Sequence, residues 1–420
     1  MTNLDNDVDV IIIGGGIGGL SAAYALTRKG YLVRVHEQAT EFGEVGAGLQ
    51  LAPNCTRILE DLDLLDEILA LGVLPESMVM KDATDGSELT RLDLTDLRRE
   101  YEYPYVVIHR SDLHRTLLEA CRRAGVELLT DRRCVDVTAG ELEGSAHFTD
   151  GSTDTAPLVI AADGLHSRAR AQLVGDETVS SSYVAYRGTV PFESVADHDV
   201  SDSDVVVYVG PGCHFVQYPL RGGDMFNQVA VFESERARRG EADWGTPDEL
   251  DAAFEGTCDA VQEGLPLMWR DRWWRMYDRD PIDSWVFGRV VLLGDAAHPP
   301  LQYMAQGAIM AIEDGWVLAE HAAAHRTDGV TDWDAVTAAY DAVRPEHCRR
   351  VVLTSRAWGI LWHLDGDKRE RRNEILRARG TTDYSYTDWI YGPTALEPDQ
   401  EPSMYEVVPL DAAAAAVAGG

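Results

Sequence analysis

A chain of 420 residues with 45% apolar and 26% charged residues has the make-up of an ordinary globular protein of two or three domains, which excludes wholesale disorder. Against 71 acidic residues stand 37 basic ones, and the net charge of −34 excludes nucleic acid and anionic lipid as partners. Lys29, Lys81 and Lys368 are the lysines, and an envelope so acidic and so poor in lysine stays hydrated where salt is concentrated. A halophilic source is therefore expected, with an acidic protein of an ordinary source as the plain alternative.

The cysteines (Cys55, Cys121, Cys134, Cys213, Cys258 and Cys348) form no C-x-x-C pair, which speaks against a zinc site or a disulfide scaffold, and no metal is expected. The opening MTNLDNDVDV is acidic where a signal peptide is basic, and no apolar run reaches bilayer length. A cytoplasmic protein without a membrane span is expected.

Val8–Ile13 is a short unbroken apolar run, as in a buried parallel strand. Leu20–Arg28 has helical spacing, Gly30 stops it, and Leu32–His36 is a second strand, which completes a βαβ unit. A helix is expected near Thr56–Leu71, then a mixed region to Arg99. Val106–Ile108 is again a buried strand, and Ser111 with Asp112 opens a helix over Leu113–Ala124. From Tyr183 to Glu233 the pattern alternates, in Val205–Val209, Cys213–Tyr218 and Gln228–Phe232, with glycine-rich turns between, as in an antiparallel sheet. Val290–Leu293 returns to the buried type, a helix follows over about Gly307–Ala324, and the last helical stretch ends near Arg379. The tail Ala412–Gly420 is of low complexity.

Gly14, Gly16 and Gly19 form a G-x-G-x-x-G turn between the first strand and its helix, and Glu37 closes the second strand. The first glycine makes the tight turn, the second admits a pyrophosphate to the backbone, and the third lets helix pack on strand. The helix N-terminus meets phosphates and the carboxylate binds ribose hydroxyls, so a dinucleotide is expected, either FAD or NAD. Two further buried strands end in acids: one in Asp163-Gly164, followed by Ser167 and Arg168, the other in Gly294-Asp295, followed by Gln306-Gly307 and Glu313-Asp314. An Asp at the carboxyl end of a parallel strand faces the ligand crevice, where it can hold a ribityl hydroxyl. A helix starting near Gly307 can present N–H groups to a flavin ring oxygen. The plain alternative for each motif is a strand–turn–helix joint with the Asp as a cap.

All three motifs, in this order and at these distances, resemble the single-component FAD-dependent aromatic hydroxylases, which are flavoprotein monooxygenases. Further segments, among them Cys213–Gly223, His298–Tyr303 and Trp362–Gly366, are similar to the branch of that family that hydroxylates 3-hydroxybenzoate at C6. The resemblance implies FAD held across the chain, NADH as co-substrate, a flavin C4a-hydroperoxide as oxygen donor, a small phenolic acid converted to gentisate, and a homodimer. The fold class is then α/β (α+β): a Rossmann-like FAD-binding domain, an inserted antiparallel-sheet substrate domain and a helical C-terminal region. By number, 1–80, 105–182 and 285–355 would bind FAD, 81–104 and 183–284 would form the substrate domain, 356–392 the helical region and 393–420 a flexible tail. By matching position, the resemblance implies Glu37 on the adenosine ribose, Arg110 on FAD, Asp163 in the motif shared with the pyridine nucleotide, and Asp295 on the ribityl chain. It also implies His214 and Gln302 on the substrate phenol, with Tyr218 in the pocket. One departure is visible: many relatives carry Gly where this chain has Ala305, before Gln306-Gly307.

The residue types bear on these roles independently. A histidine titrates near neutrality, so it can draw off a phenol proton and make the ring electron-rich. Alternation puts His214, Val216 and Tyr218 on one face, with His214 and Tyr218 about 13 Å apart as parts of one pocket wall. A backbone-satisfied histidine and a core tyrosine are the alternatives. Gln302 follows the rigid Pro299-Pro300, and its amide either reaches the substrate or faces solvent. His298 is expected to shape the turn after Asp295, and Trp269, Trp273, Trp274 and Trp285 to pack. No cation stands out to anchor a carboxylate. Salicylate or 4-hydroxybenzoate 1-hydroxylation keeps the same chemistry. A flavin dehydrogenase or oxidase, or a non-enzymatic flavin protein, is the reading from another class.

Overall fold

The computed structural model describes residues 8–43, 46–393 and 395–396, and the low-complexity tail lies outside them. Val10–Ile13 pairs in parallel with Val33–His36 on one side and Leu158–Ala161 on the other. Glu127–Leu129 and Val290–Leu292 extend this sheet in parallel, and Val286–Phe287 adds a sixth, antiparallel strand at one edge. The four central strands are buried at every position; Val10–Ile13, Leu158–Ala161 and Val290–Leu292 therefore read as unbroken apolar runs, while Val33–His36 buries Arg34 and His36 against Asp154. Val10, Ile11 and Ile12 expose no surface, and each contributes at most about 1.5–3 kcal/mol by burial. Helix Ile17–Arg28 packs against helices Arg110–Ala124 and Gly307–Ala324.

The second sheet has seven strands in the order Trp274–Asp278, Val179–Pro191, Met225–Glu233, Cys213–Leu220, Asp204–Gly210, Ser77–Asp82, Glu88–Asp93. The alternating segments expected from the sequence lie inside three neighbouring antiparallel strands. The sheet is not wholly antiparallel, however. The hairpin Ser77–Asp93, from the region read as mixed, joins its edge, and Ser77–Asp82 runs parallel to Asp204–Gly210. Strands of this sheet thus begin at Ser77 and Val179, four residues ahead of each expected boundary.

Three helices also depart from expectation. Thr56–Leu71 is broken into Pro53–Asp61 and Leu65–Leu71, where Asp63 takes φ +56° and pairs with Arg28. The helix expected from Leu113 begins at Arg110, capped by His109, whose Nδ1 accepts the Ser111 N–H at 3.3 Å. A single helix, Trp333–Trp362, runs through the boundary expected at 355, and helix Gly366–Arg377 follows. That last helix is clasped to the seven-stranded sheet by buried Asp82, which accepts from Arg369 (2.6 Å) and Asn373 (2.6 Å). Among the described residues no helix is long and apolar enough to cross a membrane.

Candidate active site

A cavity of about 860 Å³ runs from the carboxyl ends of the parallel strands to the face of the seven-stranded sheet. At its first end Gly14 takes φ +106°, and a Cβ there would strike the Ala162 carbonyl. A Cβ at Gly19 would strike the carbonyl of Gly14, so strand, turn and helix meet backbone to backbone. Gly16 caps helix Ile17–Arg28 with no side chain on its N–H groups, which leaves donors facing the cavity for an anionic ligand. The Glu37 carboxylate leans on this turn, accepting the Gly15 and Ala39 N–H groups at 2.8 Å each.

Further along, Asp295 is exposed between buried Gly294 and Ala296, and it lines the cavity. Gly307 opens helix Gly307–Ala324, whose N-terminus also carries no side-chain cap, and Arg110 lines the wall between. Two uncapped helix ends and two carboxylates along one elongated hollow suit FAD: N–H groups for phosphate and ring oxygens, carboxylates for sugar hydroxyls. Asp163 lines the same cavity but is half engaged as a cap. Its Oδ2 accepts the Arg168 N–H at 2.8 Å, at the start of helix Arg168–Leu173. Its Oδ1 is buried and has no partner among the described residues.

Behind Asp295 lies a buried ionic network. Asp314 accepts the Gly294 N–H (2.9 Å), His298 Nε2–H (2.5 Å) and Arg344 Nε–H (2.8 Å). Burial alone would raise its pKa, but His298 and Arg344 hold it down at about 2. His298 thereby fastens the turn after Asp295, in line with the role expected for it. His298, Asp314 and Cys348 approach one another closely, and the Arg344 guanidinium lies 3.4 Å from Cys348 Sγ.

At the other end, His214, Val216 and Tyr218 of strand Cys213–Leu220 all line the cavity from one face. The Gln302 amide nitrogen lies 3.4 Å from His214 Nε2, so these two meet at one point of the wall. Burial and the neighbouring His363 keep the His214 pKa well below its usual value, so the ring is neutral. Tyr218 is buried, and that burial pushes its phenol pKa up.

Arg187 is what the sequence did not disclose. In register it lies opposite Val229, which lies opposite Val216, so all three share a row across the sheet, and all three line the cavity. Burial and Arg110 lower its pKa while Tyr218 opposes them, and its Nε has no partner among the described residues. Its guanidinium sits 5.2 Å over the Trp274 ring, so this tryptophan supports a site residue as well as packing. The cavity thus has a neutral base at one place and a cation two strands across and two residues along, roughly 12 Å away between backbones, with valines between.

Residues 7–355 match the family described as FAD binding domain. The chain is 38% identical to the 3-hydroxybenzoate 6-hydroxylase of Polaromonas naphthalenivorans (strain CJ2), over 93% of this chain and 98% of that one. It is 37% identical to the 3-amino-4-hydroxybenzoate 2-monooxygenase of Streptomyces cremeus, over 94% and 98%. Among solved structures, HpxO of Klebsiella pneumoniae complexed with FAD and uric acid matches with TM-score 0.77 and 26% identity, over 90% of this chain and 94% of that one. Agreement of this extent in both sequence and fold means that the chain belongs to the FAD-dependent aromatic hydroxylases and is a flavoprotein monooxygenase.

Proposed function

We propose that the enzyme hydroxylates 3-hydroxybenzoate para to its hydroxyl group, giving gentisate, with NADH as reductant. The observation that carries this reading is the pairing, in one cavity, of neutral His214 beside Gln302 with the unneutralised Arg187 beside Tyr218. A phenol and a carboxylate on one ring match that pairing, and the valine row matches the ring itself. Bound FAD would supply the reducing equivalents and the activated oxygen. Glu37, Asp295, Arg110, Asp163 and the glycines Gly14, Gly16, Gly19 and Gly307 would hold it. His214 Nε2 accepts the phenol proton, Gln302 steadies the phenolate oxygen, Arg187 and Tyr218 bind the carboxylate, and the apolar wall keeps water from the reacting ring. The family resemblance supports a homodimer, and the acidic, lysine-poor composition supports a saline cytoplasm.

The test is NADH and O2 consumption in molar KCl with 3-hydroxybenzoate, salicylate, 4-hydroxybenzoate and 3-amino-4-hydroxybenzoate, each product being identified by chromatography. Gentisate formed one-to-one with NADH consumed supports the proposal. NADH oxidation that yields hydrogen peroxide alone means that the acid is wrong, and product from one of the other three acids replaces it.

A further inference from the structure

His214 has a second nitrogen, and it points away from the cavity. His214 Nδ1 lies 2.8 Å from Nε2 of His363, with the two rings stacked at 25° and 5.1 Å. His363 follows helix Trp333–Trp362 as its cap, and its carbonyl accepts the Gly212 N–H at 3.3 Å, tying it to the strand that carries His214. On its far side His363 lines a shallow surface cleft of about 530 Å³ with Tyr183, Leu364, Asp365, Asp367 and Lys368. Asp365, Asp367 and Lys368 are exposed. The cavity and the surface are thus separated by two imidazoles in contact.

Two neutral imidazoles in one hydrogen bond need one donor and one acceptor. With His363 Nε2 accepting, His214 Nδ1 carries the shared hydrogen and His214 Nε2 presents a lone pair to the cavity. That is the tautomer a base at this position requires. Neither ring holds a positive charge readily. Burial and His363 lower the pKa of His214, and burial and Arg372 lower that of His363 to about 3. A proton taken from the substrate therefore cannot rest on His214. The other groups on the pair do not compete for it: Tyr183, stacked on His363 at 4.6 Å, and Tyr303, edge-on at 5.6 Å, have phenol pKa values raised by burial. His363 Nδ1 is buried and has no hydrogen-bond partner among the described residues, and the residue itself lines the outer cleft.

The geometry points to His363 as a relay that passes the substrate's phenolic proton from His214 to the outer cleft. The phenol O–H bond breaks and its proton joins His214 Nε2, the Nδ1 proton of His214 moves to His363 Nε2, and the Nδ1 proton of His363 leaves to water. The products are a phenolate, two neutral imidazoles with exchanged tautomers and one hydrated proton. Uptake of a proton by the reverse route, when the product phenol forms, restores the starting tautomers. The inference rests on the phenolic substrate proposed above.

The test follows proton release on rapid mixing of the FAD-loaded enzyme with 3-hydroxybenzoate, using a pH indicator in weak buffer at about pH 8, below the phenol pKa. Flavin absorbance reports binding separately. His363→Gln, which can keep a hydrogen bond to His214, and His363→Phe, which keeps the ring volume, are expected to bind equally well and release the proton about tenfold more slowly or worse. Added imidazole is expected to restore the rate in His363→Gly, where the missing side chain leaves room for it. Release at the native rate in His363→Gln or His363→Phe overturns the relay, and so does slow release in His363→Gly that imidazole does not rescue, the result of a purely structural role. If 3-hydroxybenzoate fails to perturb the native flavin spectrum, the substrate reading falls and the relay falls with it. Binding with unaltered proton release overturns the relay alone.

Discussion

Arg187 and His214 stand two strands apart on the same sheet face, and they should fail in opposite ways. A substrate carboxylate does not change during ring hydroxylation, so its partner binds ground and transition states alike. Arg187→Met, which keeps the stem and removes the charge, is expected to raise KM about 10- to 100-fold and leave kcat nearly unchanged. His214 acts on the bond that changes, so His214→Ala, like Gln302→Ala, is expected to lower kcat about 10²- to 10⁴-fold while the protein keeps its yellow colour. Steady-state kinetics with the visible flavin spectrum separate the two patterns, and an unchanged KM in the arginine variant would remove Arg187 from the substrate site. His214 was singled out by the family resemblance, and strand alternation gave it its face. Arg187 was not, since it is one arginine among many and only register across two strands brings it to Val216. Nor was His363, whose contact with His214 spans 149 residues of chain.

The element that brings Gln302 to His214 is the turn between Asp295 and helix Gly307–Ala324, and it contains a local misfit. Ala305 ends the short helical turn Gln302–Met304 in a left-handed conformation, φ +56°. A methyl group there costs about 1–2 kcal/mol, which is the physical reason that a glycine would suit this position. The sequence exposed the departure; its backbone cost appears only in the structure. Ala305→Gly removes the strain but loosens the unfolded chain by about 0.5–1 kcal/mol, leaving a net gain of up to about 1.5 kcal/mol. Thermal melts at equal FAD content should therefore place the glycine variant slightly above the native protein. A lower melting point would mean that the methyl group packs against its surroundings by more than the strain it causes. Elsewhere, local signals ran out where a tertiary contact decides the element. The break at Asp63 goes with its pairing to Arg28, and the helix at Arg110 is started by a histidine cap that propensity does not favour.

For the molecule as a whole, the centre of the parallel sheet was legible because Val10–Ile13, Leu158–Ala161 and Val290–Leu292, buried on both faces, print continuous apolar runs, each ending in a ligand-facing turn. The edge strands Glu127–Leu129 and Val286–Phe287 are too short to show one. The edge hairpin Ser77–Asp93 was not legible, because its strands are mostly half-buried and show no clean period. Charge is the remaining whole-molecule property, and it yields the last prediction. Most ion pairs here are partly exposed Arg–carboxylate contacts, such as Arg28–Asp63 and Arg270–Asp251, each worth at most about 1 kcal/mol and weakened by salt. The acids that outnumber the bases, 71 against 37, repel one another over the entire envelope. That repulsion reaches about 10 Å at 0.1 M salt and about 3 Å at 1 M. Screening therefore removes more repulsion than attraction, and the melting temperature is expected to rise steadily as KCl goes from 0.1 M to molar levels. Repeating the melts with an uncharged osmolyte separates screening from general exclusion at the surface. A melting temperature that falls as KCl rises would mean that the arginine pairs outweigh the excess charge, and would remove the argument for a saline cytoplasm.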